Sequence, residues 1–409
     1  MRKSKANVLV LTYWSFSDAL IQTYTLPYVR MIRKYLPPET RLFMFSLEQK
    51  HSFLNKEKRL IAKQDLQKEG IEWIPQAYSR WGFLGFLNTI GLLIRLLVFS
   101  LRKQIGTLHS WCTPAGAIGY IISVFTGKEL IIDSYEPHAE SMVENGEWTK
   151  KSLAFRTLFW LEKKMSHRAK IVIGTTEGMR LYAKQKYNAS FNHYFVKPAG
   201  VDTLEFSFSL SDRCTIREKL GIEGKRVAIY VGKFGGIYYD NEIFQLAKAF
   251  SVRWGANFYL LILSANPDEE ITRLAEKNGF PIESMSIFSV PHKDVSMYLS
   301  SADFAINPVK PVSTKQYCTS IKDGEYWAMG LPVIIPPEIS DDSQIIQQEG
   351  IGVVWQSQDE THLMKIVREI EILLASNSEK QLSEKIRNIA IRIREFRLAE
   401  DIYSNIYSS

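Results

Sequence analysis

The feature that most constrains this chain is a rhythm that occurs twice. Short apolar, β-branched runs recur with helical stretches between them. In the first series the strand-like runs fall at residues 7–11, 41–45, 107–110, 129–133, 171–174 and 192–196, with helices expected at 19–35 and 152–169. After a turn-rich link, Lys197-Pro-Ala-Gly-Val-Asp-Thr203, a second series places strands at 226–232, 258–263, 286–288, 302–306, 332–335 and 352–354. Helices are expected between them at 243–253, 269–277, 295–300 and 324–328. Near-continuous apolar runs are what parallel strands look like when both faces are covered, and parallel neighbours need a crossover, usually a helix. The pattern therefore predicts an α/β chain with two doubly wound parallel sheets. At 409 residues the chain is long for one core and suits two domains. Domains are expected at 1–204 and 205–385, with a helical segment, 386–409, packing back on the first.

Charge is unevenly spread. Residues 1–104 hold 17 Lys+Arg against 7 Asp+Glu, a balance of +10, and the remainder of the 51 and 44 is 34 against 37, or −3. A basic patch of this kind suits an anionic membrane surface or an acidic acceptor. Nucleic acid is disfavoured, because no recognition motif accompanies the charge. The stretch 83–101 is very apolar, is preceded by Arg80 and Trp81, and is followed by Arg102 and Lys103. Its longest uncharged run is too short to span a bilayer, so it reads as a sheet-covering helix or as one lying in a membrane interface. Three widely spaced cysteines give no disulfide framework. With no signal-peptide pattern at the start, a cytoplasmic protein is expected, with the inner membrane face as a candidate surface.

Two stretches carry the chemistry. In Ser320-Ile-Lys-Asp-Gly-Glu-Tyr-Trp-Ala-Met-Gly-Leu-Pro-Val-Ile-Ile335 an acidic helix is stopped by Gly-Leu-Pro and runs at once into a buried strand. Glu325 is expected at the helix start, beside N–H groups that attract anions. One carboxylate suits two ribose hydroxyls, and the N–H groups suit phosphate. The second stretch is Gly232-Lys233-Phe234-Gly235-Gly236, which puts a cation and flexible backbone at the carboxyl end of a strand. Ligands of open α/β sheets bind there. Lys322, three residues before Glu325, is expected in the same crevice. Two cations, one carboxylate and helix N-termini describe a site for a nucleoside diphosphate. No metal-ligand pattern is present: Asp341-Asp342 reads as a solvated turn, and the donor is expected to bind without metal.

Four stretches together resemble the GT-B glycosyltransferases, and within them the retaining family 4. Tyr230-Val-Gly-Lys233 is similar to the strand, Gly and basic residue that hold the donor pyrophosphate. Lys197-Pro-Ala-Gly-Val-Asp202, followed by Phe206, is similar to the interdomain signature. Lys322-x-x-Glu325-Tyr-Trp-Ala-Met-Gly-Leu-Pro-Val333 is similar to the region whose Glu binds the donor ribose. Glu177 follows Thr175-Thr176 as in the family's Ser/Thr-Glu turn. The resemblance implies two Rossmann-like domains, an interdomain cleft and a C-terminal crossover helix. It implies a transferase of hexosyl or related type, drawing on a UDP- or GDP-linked sugar, with retention. The acceptor would be a glycan or lipid-linked hydroxyl in envelope polysaccharide or glycolipid synthesis. Domain one would hold the acceptor, and domain two the nucleotide.

From the two stretches and the resemblance together, Gly232, Lys233, Gly235, Lys322, Glu325 and Tyr326 are the expected donor-binding residues, with Lys322 supplying the positive charge that 234–240 lacks. Lys233 and Lys322 would stabilise the leaving diphosphate. His138, in Glu136-Pro-His138, would contact the donor sugar. His109, at another strand end, is a rival, and Ser15-Phe-Ser-Asp18 is a candidate for the acceptor side. The chain also departs from the family. Tyr317 stands where a Glu is usual, eight residues before Glu325, and 234–240 holds no Lys. Two other readings therefore stay open: a non-catalytic GT-B nucleotide-binding or scaffold protein, and a sugar-nucleotide epimerase.

Overall fold

The computed structural model describes residues 6–50, 52–79, 83–376 and 379–408. Arg80 and Trp81 lie outside them. The chain forms two compact units, Met1–Pro198 together with Phe396–Ser409, and Ala199–Glu395.

In the first unit β1 (Asn7–Leu11), α1 (Leu26–Tyr35), β2 (Leu42–Glu48), α2 (Lys56–Lys68), β3 (Ile71–Ala77), α3 (Phe83–Arg102), β4 (Ile105–Trp111) and α4 (Cys112–Thr126) alternate. They are followed by β5 (Glu129–Tyr135), α5 (His138–Glu144), α6 (Leu153–Arg168), β6 (Ile171–Gly174), α7 (Glu177–Tyr187) and β7 (Tyr194–Val196). The sheet order is β3-β2-β1-β4-β5-β6-β7, and every pair is parallel. The chain first winds from β1 toward β3, then returns to β4 and winds the other way. Right-handed crossovers then put α3, α4 and α6 on one face of the sheet. Consistent with this, α3 packs on α4 and α4 on α6.

β3 was absent from the sequence reading. Its Ile-Glu-Trp-Ile-Pro-Gln-Ala mixes polar residues with Pro75, which argues against a central strand. It is the edge strand, where a residue without an N–H is tolerated. The last helix, α16 (Glu400–Tyr407), packs against α1 of this unit. Glu400 Oε2 accepts from Lys34 Nζ at 3.0 Å and from the Tyr35 hydroxyl at 2.7 Å.

The second unit repeats the plan: α8 (Leu210–Leu220), β8 (Arg226–Val231), α9 (Asn241–Trp254), β9 (Phe258–Leu263), α10 (Asp268–Lys277), β10 (Met285–Phe288), α11 (Val295–Ser300) and β11 (Phe304–Ile306). Then come α12 (Ile321–Ala328), β12 (Val333–Ile335), α13 (Asp342–Glu349), β13 (Gly352–Val354), α14 (Glu360–Ser376) and α15 (Glu379–Ile393). The parallel order is β10-β9-β8-β11-β12-β13, so winding reverses between β8 and β11. Alternate residues of β8 feed two cores. Val227 and Ile229 join Trp327 and Ile335 on one face, and Ala228 and Tyr230 join Phe250 and Ile262 on the other.

The link after β7 belongs to the second unit from Ala199 onward. Its backbone is held there: Ala199 N–H donates to Thr319 Oγ1 and Val201 N–H to Arg394 O, both at 2.7 Å, and Arg387 Nη2 donates to Thr203 O at 2.6 Å. The helix expected at 324–328 begins at Ile321 instead. Gly324 therefore sits inside it, facing Ala199 and Val201, whose atoms would be in ordinary contact, 3.6 Å, with a Cβ there.

Candidate functional site

The reversal between β8 and β11 is a topological switch point, and sheets of this kind bind ligands in the crevice outside the carboxyl ends of such strands. The loop after β8 builds one wall. Gly232 lies where a Cβ would meet Lys322 Cε at 2.7 Å and the Tyr230 hydroxyl at 2.8 Å, so a larger residue would have to displace both side chains. Gly235 takes a left-handed φ of 77°. The buried Tyr230 hydroxyl donates to Lys233 O, and Phe234 N–H donates to Asn266 Oδ1 at 3.0 Å, which fixes the turn. The loop is pinned to the segment after β11: Tyr239 N–H donates to Pro308 O at 2.8 Å, and Lys310 Nζ to Gly236 O at 2.9 Å.

α12 builds the other wall. Ser320 makes no side-chain cap, so the first-turn N–H donors are not claimed by it. Lys322 Nζ donates to the Tyr238 hydroxyl at 2.8 Å. Burial opposes ionisation of Tyr238, but the Lys322 charge and hydrogen bond outweigh it, with Lys315 adding to them, and its pKa falls below the ordinary value. Lys322 thus packs against Gly232 at the end of β8, as expected from the sequence. Lys315 joins the same neighbourhood. Lys233 is exposed, and among the described residues no carboxylate pairs with it.

Glu325 departs from expectation in position. It lies one turn inside α12 rather than at its start, and is 8% exposed. Its Oε1 accepts from His292 Nε2 at 3.0 Å. That hydrogen bond raises the His292 pKa, against partial burial, with the charges of Glu325 and Glu205 adding to it. His292 also meets the Phe206 ring edge-on, at 5.4 Å between centroids. No local pattern marks His292, which comes 33 residues before Glu325; only the crossover from β10 brings it in. Tyr326 is fully buried and accepts the Val231 N–H at 3.0 Å, so it clamps the end of β8 from below.

Asp323 anchors this helix. It is fully buried and accepts from Asn307 Nδ2 at 2.8 Å. Burial, then the neighbouring Asp342, pushes its pKa far up, while Arg394 opposes. Arg394 pairs with Asp342, so its guanidinium offsets one of the two buried carboxylates. Tyr317 ends the short helical turn Ser313–Tyr317 and is half-buried.

In the first unit the sequence candidates scatter. His138 opens α5, 22% exposed in its side chain, with Nδ1 3.1 Å from Glu136 Oε1. Ser15 accepts the Gln49 N–H at 2.8 Å, and Asp18 caps Leu20 N–H at 2.9 Å. Glu177 starts α7 and pairs with Arg180 at 3.2 Å. His109 is fully buried, between Asp133 Oδ2 at 3.1 Å and the Tyr407 hydroxyl at 2.6 Å. Tyr403 donates to the same Asp133 oxygen at 2.7 Å, and Lys197 Nζ lies 3.0 Å from the other. Lys197 also sits 3.7 Å from the Tyr28 ring centroid and 4.5 Å from that of Trp111.

A cavity of about 560 Å³ among Phe208, Leu331, Leu382 and Arg387 opens at the amino ends of β11 and β12, the opposite end from the crevice. Among the described residues no group of three or more His, Cys, Asp or Glu is placed to hold a metal ion.

No family profile matches the sequence, and no curated protein matches it. The structure does find similar solved folds. HepE of Anabaena, solved with UDP-glucose, is similar with a TM-score of 0.72 at 11% identity, over 98% of this chain and 99% of that one. Sucrose-phosphate synthase of Thermosynechococcus elongatus gives 0.72 at 12% identity, over 98% of each chain. WaaG, a glycosyltransferase involved in lipopolysaccharide biosynthesis, gives 0.71 at 15% identity, over 98% of this chain and all (100%) of that one. At these identities the likeness establishes the fold, which is GT-B: two Rossmann-like, parallel-sheet α/β units.

Proposed function

We propose that this chain is a glycosyltransferase that moves a sugar from a nucleoside-diphosphate donor to an acceptor hydroxyl. One observation carries the reading: Lys322, three residues before Glu325 on α12, lies against Gly232 at the carboxyl end of β8, in a chain similar over 98% of its length to a protein solved with UDP-glucose. Glu325 would take the ribose hydroxyls. Lys322, Lys233 and the first-turn N–H groups of α12 would take the diphosphate. As the bond to diphosphate opens, negative charge grows on its bridging oxygen, and preorganised cations lower that barrier. The donor is UDP- or GDP-linked, and UDP is favoured because HepE was solved with UDP-glucose.

Retention of configuration, a family 4 place and a role in envelope polysaccharide or glycolipid synthesis belong to the same proposal. So do the assignment of the second unit to the nucleotide and of the first to the acceptor, and the contact of His138 with the donor sugar. The acceptor is a glycan or lipid-linked hydroxyl. Because Tyr317 replaces a carboxylate, a nucleotide-binding protein without turnover is the second reading.

A thermal-shift panel with UDP, GDP, ADP, CMP and dTDP separates them first. A ligand at a hundred times its dissociation constant adds about 2.7 kcal/mol to folding stability. A rise with one diphosphate supports the site; silence across the panel removes it. Release of free diphosphate from the matching donor-sugar then distinguishes turnover from binding alone.

A further inference from the structure

The helical layer formed by α3, α4 and α6 on one face of the first sheet is unusual in what it shows to solvent. α3 buries Leu92 and Leu96 against the unit but exposes Leu87, Ile90, Ile94, Val98 and Leu101, each between 39% and 60%. Their spacing of three and four residues makes one continuous stripe along the helix. The end of α4 adds Val124 and Phe125, the latter 74% exposed. α6 adds Leu153 and Trp160, the indole 52% exposed, with Lys164 Nζ 5.7 Å from its centroid.

Charge in this layer has one sign. α3 carries Arg95 and Arg102, and α6 carries Arg156, Lys163, Lys164 and Arg168, all exposed. α3 and α4 contain no acidic residue, and the single acid of α6, Glu162, is fully buried, accepting from Ala139 N–H at 2.9 Å and from the Tyr187 hydroxyl at 2.7 Å. A surface layer of three helices without one exposed carboxylate is not made by an ordinary solvated face, which mixes both signs. Nor is any helix among the described residues long and apolar enough to cross a bilayer.

We infer that the α3–α4–α6 face docks the protein on an anionic lipid bilayer, with the Leu87–Leu101 stripe, Phe125 and Trp160 entering the headgroup region and the α6 cations pairing with lipid phosphates. Apolar side chains gain by leaving water, an indole favours the interface, and cations are drawn to a negative leaflet. A protein partner would need an acidic, apolar surface of its own; a bilayer supplies both over any area. The inference does not depend on the transferase reading, since it concerns only the first unit.

Flotation of the full chain with vesicles tests it. Vesicles of phosphatidylcholine with about one-third phosphatidylglycerol are compared with phosphatidylcholine alone at ~0.1 M salt, where charges are felt over about 10 Å. Wild type should float with the anionic vesicles only. I94E/V98E and K163E/K164E should each lower the bound fraction at least about fivefold, while Ile372→Glu, an exposed apolar site in the second unit, leaves it unchanged. The substituted positions are exposed, so each variant should keep its unfolding temperature. Absence of wild-type flotation, or equal flotation of all variants, overturns the inference. So does a wild-type dimer that I94E/V98E turns into a monomer while no form binds vesicles, because the stripe is then a contact between copies.

Discussion

Two clusters of carboxylate, histidine and lysine lie on comparable parallel sheets, one in each unit, and they have opposite characters. In the first unit Asp133, His109 and Lys197 are at most 3% exposed. Every charge there is met by the chain's own atoms: Lys197 and Tyr403 on Asp133, Tyr407 on His109. In the second unit Glu325 is held by one half-buried histidine, Lys322 by a phenol, and Lys233 is exposed. What separates them is saturation. A buried ion set whose charges are paired with one another offers a ligand no free charge. The open set has donors and a carboxylate whose partners can be exchanged, and function is to be sought there.

Removing one partner breaks the two clusters in different ways. Lys197→Met strands Asp133 in the interior and should cost about 3–5 kcal/mol, read by urea unfolding, the usual penalty for half of a buried pair. Lys322→Met should cost under ~1 kcal/mol in the same experiment, since water reaches its site. A comparable loss in both would erase the distinction. Ligand binding should sort them in reverse order. Glu325→Ala should weaken UDP roughly a hundredfold by calorimetry, as expected for two hydrogen bonds to a charged group at about 1.5 kcal/mol each. Lys322→Ala should weaken UDP about tenfold and uridine hardly at all. A loss equal for both ligands would detach Lys322 from the diphosphate.

Acid sharpens the contrast further. Burial would raise the Asp133 pKa, but the Lys197 charge and the hydrogen bonds from His109 and Tyr403 outweigh it and hold the carboxyl far below its usual range. A depressed carboxyl stabilises the fold above its unfolded pKa of about 3.9, and that stability drains away as pH falls toward the folded value. Asp133→Asn should therefore flatten the acid limb of the stability curve; an unchanged limb would show that Lys197 does not govern it. The smallest effect belongs to His292. Its raised pKa means that its bond to Glu325 contributes fully below about pH 6.5 and fades as pH rises through the folded value. His292→Gln should remove that drift, with a shift of a degree or two in Tm, and should weaken UDP only a few-fold.

Much of the second unit was legible in the sequence because its signals are local. β8 with Gly232-Lys233, and α12 with Gly-Leu-Pro behind it, each announce themselves within a dozen residues. Their meeting follows from winding rules alone. Residues joined only by the fold were not legible. His292 reaches Glu325 across a crossover, and His109 looked like a strand-end candidate until Tyr403 and Tyr407, some 300 residues later, covered it. The start of α12 is not legible because Gly324 argues against a helix interior by propensity, and the burial of Asp323 through Ala328 overrides that. Pro75 hid β3 in the same way, since a strand's place at the sheet edge is not written in the strand.

The tail that completes the Asp133 cluster also sets a timetable. During synthesis domains tend to fold as they emerge, amino-terminal first. Here residues 1–198 leave the ribosome with a carboxylate, a lysine and a histidine whose covering helix, Glu400–Tyr407, comes only after the whole of the second unit. The first unit thus cannot be finished before the second has been made, and a ribosome that stops at residue 395 releases a chain whose second unit is whole and whose first is not.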